Sequence, residues 1–210
     1  MGVWGDRLLP RLLDSMGSAP EITRLRVAVC ADLHGTVLEL GFGSGLNVPY
    51  YPAAVTEVLA VEPSDQGWAL SERRRAASLV PVRRSGLDGQ RLTEPDDSVD
   101  CVLSTLTLCT IPDVARALAE VRRVLRPGGT LHVFEHGLAP DPGVGTWQHR
   151  LEPMQKRVFG GCHLTRDVPW LLTEAGFRLD RRDAQYLDGP TLMRPWGYGH
   201  LIRASVPGDG

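Results

Sequence analysis

Downstream of Gly35, short apolar runs alternate with stretches in which apolar residues recur at helical spacing, the rhythm of a parallel α/β sheet. The runs predict strands over Thr36–Leu40, Glu57–Val61, Val80–Arg84, Val99–Leu106 and Thr130–Glu135. Between them the pattern predicts a short helix over Leu46–Tyr51 stopped by Pro52 and a longer one over Asp65–Ser78 with Ser64 as N-cap. A third helix, Asp113–Leu125, should end at the Pro127-Gly128-Gly129 turn. The rhythm then breaks: Pro140, Pro142, Gly143, Gly145, Pro153 and Gly160-Gly161 predict an irregular insertion across His136–Thr165. A helix over Thr165–Ala175 closed by Gly176 follows, then an antiparallel pair, Phe177–Asp183 and Tyr198–Ala204. At the front, Trp4, Leu8, Leu9, Leu12, Leu13 and Met16 keep helical spacing around Pro10, and Ala19–Leu33 reads as a second helix.

Composition narrows the partners. The chain has 210 residues, which fits one domain over 1–210 with one sizeable core. Its net charge of −2 gives no bulk positive field for nucleic acid. Cys30, Cys101, Cys109 and Cys162 are too sparse and unpaired in spacing for a disulfide framework, so they read as free thiols in a reducing cytoplasm. Acids and arginines interleave with the N-terminal leucines, and no apolar run is long enough to span a membrane, so neither secretion nor membrane spanning is expected. The first helix reads as a lid or core-packing element, with weak peripheral membrane contact as the other reading. The oligomeric state is not legible.

The candidate chemistry begins where the first strand ends. Glu39-Leu40-Gly41-Phe42-Gly43-Ser44-Gly45 joins a strand to a helix, the place where open α/β sheets bind ligands. Glycines at 41, 43 and 45 allow a tight turn and close approach of bare backbone. The third glycine comes one residue early for a dinucleotide fingerprint, and Glu39 suits an ammonium better than a pyrophosphate. Glu62, at the end of the second strand, can accept hydrogen bonds from two ribose hydroxyls. Asp88 and Gly89, after the third strand, can hold an adenine edge. Together these describe a site for an adenosyl group carrying a zwitterionic amino acid.

These motifs, with Asp96-Asp97-Ser98-Val99-Asp100 and Val124-Leu125-Arg126-Pro127-Gly128-Gly129, resemble the class I S-adenosylmethionine-dependent methyltransferases, specifically the type 11 group. The resemblance implies a Rossmann-like seven-stranded sheet of order 3-2-1-4-5-7-6, its last strand antiparallel, with helices on both faces. It implies S-adenosylmethionine as cofactor and S-adenosylhomocysteine as product. Gly41, Gly43 and Gly45 would lie under the methionine portion, Glu39 near its amino group, Glu62 on the ribose, and Asp88 with Gly89 at the adenine. Gly89-Gln90 departs from the Ala-Glu usual after that aspartate.

Thr105-Leu106-Thr107-Leu108-Cys109, Glu135-His136, Trp147, Gly161 to Arg166, Arg194-Pro195 and Gly197-Tyr198-Gly199 are similar to the methyltransferase-like thiol S-methyltransferases of animals and their bacterial relatives. That implies a small, rather apolar acceptor, first a thiol. C- or N-methylation of a quinone or of an amine or phospholipid headgroup is the enzymatic alternative, and a non-catalytic donor-binding partner subunit is the alternative of another class. His136, directly after the fifth strand, is the catalytic candidate: an imidazole there can assist deprotonation of an acceptor. Cys162 and His163, after a Gly-Gly turn, read as structural loop. The six histidines form nothing that resembles a metal cluster, and methyl transfer from a sulfonium needs no metal, so none is expected. Trp147, Trp170, Trp196, Phe159 and Tyr198 read mostly as core with a share in acceptor-pocket walls, and Arg73-Arg74-Arg75 and Arg122-Arg123 as solvated helix faces. With 36–135 building the donor half, acceptor choice falls to residues 1–34 and 136–200.

Overall fold

The computed structural model describes residues 4–207. Seven strands form one sheet: β1 (Gly35–Leu40), β2 (Val55–Val61), β3 (Val82–Gly86), β4 (Val99–Thr105), β5 (Leu125–His136), β6 (Arg178–Tyr186) and β7 (Tyr198–Ser205). Their order is β3-β2-β1-β4-β5-β7-β6, as the resemblance implies. β1 to β5 pair in parallel, and β7 runs antiparallel between β5 and β6.

Alternation along each strand splits the core between the two faces. On one, Leu38, Leu40, Val102, Leu131 and Val133 pack with the helices α5 (Val114–Val124) and α7 (Val168–Glu174). On the other, Val37, Val58, Leu103 and Phe134 pack with Val29 and Cys30 of α2 (Pro20–Cys30). Glu39 belongs by period to this second face and is buried there. The crossovers leave the carboxyl ends of β1 to β5 on one lip of the sheet, and every predicted site residue lies on that lip or in the loop that follows it.

Several elements depart from the pattern reading. His136–Thr165 is no irregular insertion, because Pro142–Val158 forms a 17-residue helix, α6. Pro142 stands in its first turn, where a missing N–H costs nothing, and the glycines Gly143 and Gly145 follow in that same turn; only Pro153 interrupts the interior. Buried Gln148 ties α6 to the sheet end, accepting from Ala139 N at 2.9 Å and donating to Gly137 O at 2.9 Å and Pro195 O at 3.0 Å. The predicted 65–78 helix is two pieces, α3 (Asp65–Leu70) and α4 (Glu72–Ala76), broken at Ser71, whose Oγ accepts from Arg75 Nε at 2.7 Å. Ser64 does cap α3, accepting from Gly67 N at 3.0 Å. The predicted 46–51 helix shrinks to a 3₁₀ turn, Val48–Tyr50. Pro127-Gly128-Gly129 ends α5 but lies within β5, where Leu125 pairs with Val99 and Thr130 with Cys101, so residues 126–129 bulge out.

The N-terminal segment runs as a π-helical turn, Trp4–Leu8, into α1 (Leu9–Gly17). Of its apolar side Leu9 is buried, whereas Trp4, Leu8, Leu12, Leu13 and Met16 are exposed. Among the described residues no helix is long and apolar enough to cross a membrane.

Candidate functional site

The glycine loop takes the shape its sequence requires. Gly41, Gly43 and Gly45 all have positive φ. A Cβ on Gly41 would lie 2.2 Å from Thr107 Oγ1, so bare backbone is enforced there by the loop after β4. A Cβ on Gly43 would meet no atom nearer than Gly41 O at 3.8 Å, so that position faces open space. Leu106, with φ of 52°, turns the chain left-handed at the end of β4, beside Thr107.

Glu62 lies against this loop. Its Oε2 accepts from Gly43 N at 2.6 Å and its Oε1 from Ser64 N at 2.7 Å. The carboxylate therefore spans the crests of β1 and β2. Burial raises its pKa, opposed by the two backbone donors and by Arg84. A side chain on Gly67 would approach Glu62 Oε1 to 3.3 Å, and this glycine went unremarked in the sequence.

Glu39 lies beneath the loop in a buried polar network. Asn47 Nδ2 donates to its Oε1 at 2.8 Å, and the Tyr51 hydroxyl donates to Oε2. Arg26, a buried cation on α2, donates to Asn47 Oδ1 at 2.8 Å, to Thr105 Oγ1 at 3.1 Å and to Gly17 O at 3.2 Å. Burial pushes the Glu39 carboxyl up to about 7 against these partners. Arg26, Asn47 and Tyr51 lie outside every motif, and Thr105 stands in one without a role assigned to it; a lone arginine on an otherwise apolar helix face was the available signal.

Asp88 and Gly89 follow β3 on the same lip. Asp88 is exposed, its Oδ1 accepting from Gln90 Nε2 at 3.0 Å and Gln90 N at 2.9 Å, and these bonds hold its carboxyl below the usual range. Gly89 sits close over Leu40, where a Cβ would come to 3.3 Å. Above the glycine loop, Asp14 of α1 accepts from Ser44 Oγ at 2.6 Å and Arg74 Nη1 at 2.9 Å. This clasp ties α1 to the glycine loop. Arg74 is thus no solvated charge, nor is Arg75, whose guanidinium stacks 3.8 Å from the Trp68 ring centre, nor Arg123, which binds Glu120 and Asp96.

His136 ends β5, partly buried, with its Nε2 3.1 Å from Cys162 Sγ and its Nδ1 buried without a partner. It is therefore held against a thiol and is no free base directed at open space. Cys109 completes the group: the Sγ atoms of Cys109 and Cys162 and a ring nitrogen of His136 all lie within 4.8 Å of one another. The bond from the Cys109 thiol, then burial opposing it, then His136 set the Cys162 pKa, which lies well below the usual thiol value. Cys109 is correspondingly pushed up. Burial disfavours a charged His136, but Cys162 and Glu135 outweigh it and raise its pKa. Sequence reading assigned Cys162 to a structural loop and missed this convergence, since the three residues come from the loop after β4, the end of β5 and the loop after α6. All four cysteines are free thiols, as expected. His132 and His136 are four apart, but on a strand that spacing separates them by about 13 Å. Trp147 and Trp170, expected mostly in the core, are exposed at 55% and 57%. Trp196 donates to Gln155 Oε1 at 3.0 Å, and Gln155 Nε2 lies 3.4 Å from Cys162 Sγ.

A doubly wound sheet with a glycine loop at β1 and an acid at the end of β2 defines a Rossmann-like nucleotide-binding enzyme fold. Residues 38–133 match the Methyltransferase domain family. The chain is 32% identical over 177 residues to human thiol S-methyltransferase TMT1A, covering 80% of this chain and 70% of that one. It is 36% identical over 139 residues to rat thiol S-methyltransferase TMT1B, covering 63% of this chain and 56% of the relative's length. The phosphatidylethanolamine N-methyltransferase of Cereibacter sphaeroides is 32% identical over 132 residues, covering 61% of this chain and 64% of that one. Among solved structures, a putative methyltransferase from Bacillus halodurans superposes with a TM-score of 0.72 at 15% identity, over 88% of this chain and 98% of its own. The chain belongs to the S-adenosylmethionine-dependent methyltransferases.

Proposed function

We propose that this chain transfers the methyl group of S-adenosylmethionine to the sulfur of a small, rather apolar thiol. The observation that carries the donor half is Glu62 bridging Gly43 N and Ser64 N: each carboxylate oxygen accepts one protein bond and keeps a lone pair for a ribose hydroxyl. In this reading Gly41, Gly43 and Gly45 underlie the methionine portion, Glu39 faces its ammonium, and Asp88 with Gly89 takes the adenine edge. The sulfonium is already activated, so the protein's task is alignment of the acceptor for in-line displacement. The thiol is supported by the likeness to two thiol S-methyltransferases, and by the thiols and imidazole at the end of β5, on the lip where an acceptor would meet the methyl group.

Turnover by the isolated chain with radiolabelled donor, over panels of alkyl thiols, amines, phenols, quinones and phosphatidylethanolamine, tests this. Thiol products are expected; labelling confined to lipid amines or quinones overturns the thiol reading, and donor binding without any turnover favours a partner subunit. Glu62→Ala is expected to weaken S-adenosylhomocysteine binding by about 1–3 kcal/mol in calorimetry. Unchanged affinity would remove Glu62 from the ribose.

A further inference from the structure

We propose that Cys109, His136 and Cys162 form a binding site for one Zn²⁺ ion, with a fourth coordination position left for the acceptor's sulfur. The ligand atoms, two Sγ and one ring nitrogen, lie within 4.8 Å of one another, and His136 Nε2 is 3.1 Å from Cys162 Sγ. Tetrahedral zinc with ordinary Zn–S and Zn–N lengths separates such atoms by roughly 3.5–3.8 Å, so closure needs small side-chain adjustments only. Two thiolates and an imidazole are the donors zinc takes, and three protein ligands with an open fourth place characterise catalytic rather than structural sites.

The backbone around these residues holds them in register. His163 N donates to Cys109 O at 2.9 Å, joining the two cysteine loops directly. Glu135 Oε2 accepts from Cys109 N at 3.2 Å. Arg166 donates through Nη2 to Ile111 O at 2.6 Å and through Nη1 to Leu108 O, fixing the Cys109 loop from the far side. Glu152 does the same for the Cys162 loop, accepting from Leu164 N at 2.8 Å, Thr165 N at 3.0 Å and His163 Nδ1 at 2.7 Å. Gln155 Nε2, 3.4 Å from Cys162 Sγ, is placed to donate to a ligating thiolate. Three chemically matched ligands are thus brought together from separate segments by loops anchored at several points each.

The metal assignment stands on this donor set; its task rests on the thiol reading of the preceding section. A thiol entering the fourth position forms an S–Zn bond and releases its proton to solvent. The bound sulfur then attacks the methyl carbon. An S–CH₃ bond forms, the sulfonium C–S bond breaks with its electron pair retained by the donor sulfur, and a neutral thioether, a weaker ligand than thiolate, departs.

The test uses the full chain, reduced and chelator-stripped, titrated with ZnCl₂ alone and separately with CoCl₂ alone. About one Zn²⁺ per chain is expected, with a thiolate-to-cobalt charge-transfer band in the Co²⁺ form. Cys109→Ser/Cys162→Ser is expected to lose more than about 100-fold in Zn²⁺ affinity, beyond the effect of outer partners, while Cys101→Ser retains it. Retained S-adenosylhomocysteine binding shows that the double variant folds. Should it not fold, X-ray absorption at the zinc edge of the zinc-loaded wild-type chain is expected to show two sulfur ligands at about 2.3 Å and a nitrogen ligand at about 2.0 Å. No zinc uptake, equal uptake by the double variant, or a zinc shell without sulfur overturns the site. Zinc bound by a chain that methylates only amines or quinones keeps the site and removes its task, and full thiol turnover by the metal-free chain does likewise.

Discussion

Glu39 sits under the glycine loop with Arg26, Asn47, Tyr51 and Glu62 around it, and burial pushes its carboxyl from the ordinary 4.5 up to about 7. Between those values the folded chain holds a proton that the unfolded chain has released, so stability falls as pH rises through that window. The full swing is of order 3 kcal/mol. Urea unfolding at about pH 5 and pH 8 is expected to show a decline larger by about that amount in the wild type than in Glu39→Gln, the other shifted groups, Glu62, His136 and Cys162, being common to both. The donor's ammonium opposes it: if Glu39 faces that group, S-adenosylhomocysteine binds the wild type more tightly at the higher pH, and Glu39→Gln lacks the gain. At the loop itself, Gly41→Ala drives a Cβ into Thr107 and is expected to cost at least about 2 kcal/mol of stability. Gly43→Ala meets only its left-handed φ of 58°, roughly 1 kcal/mol, so its larger loss should be in donor affinity. Thermal unfolding with and without S-adenosylhomocysteine separates the two variants, and equal losses would take Gly43 away from the ligand. The glycines, Glu39 and Glu62 were legible because they are consecutive or at strand ends. Arg26 was not, because a single charge in a helix carries no period.

Among the elements, α1 is the one whose role depends on a few contacts. Most of its apolar side is exposed, with Leu9 buried, and it is joined to the glycine loop by Asp14, with Ser44 Oγ at 2.6 Å and Arg74 Nη1 at 2.9 Å. A partly exposed pair of this kind adds about 1 kcal/mol or less to global stability. Asp14→Ala is therefore expected to change unfolding little while speeding S-adenosylhomocysteine release several-fold in stopped-flow experiments. An unchanged release rate would leave α1 a passive neighbour. The strands and α5 were legible because burial of both sheet faces forces continuous apolar runs and one helical stripe. α6 was misread because its prolines and glycines signal a break by composition, whereas Pro142 and the glycines occupy the first turn, where they are tolerated.

For the whole molecule, the segments before and after His136 share one sheet. β7 pairs with β5 from Thr130↔Ser205 to His136↔Gly199, and Ile202 and Ala204 complete the core behind β5. A chain cut after His136 would expose that edge and face, so it is expected to show no cooperative unfolding transition in urea, and a cooperative one would mean that the residues up to His136 fold alone. The sequence by itself determined the succession of strands, the helices α5 and α7, the glycine loop and the acid that follows β2, because these are local: period, turn chemistry and strand ends are written in neighbouring residues. Only the tertiary structure decided that Cys109, His136 and Cys162 meet, that Arg26 lies under the loop, and that Asp14 closes over it. Those contacts join residues far apart in the chain, and their distances follow from how helices pack on a twisted sheet, which no local pattern encodes.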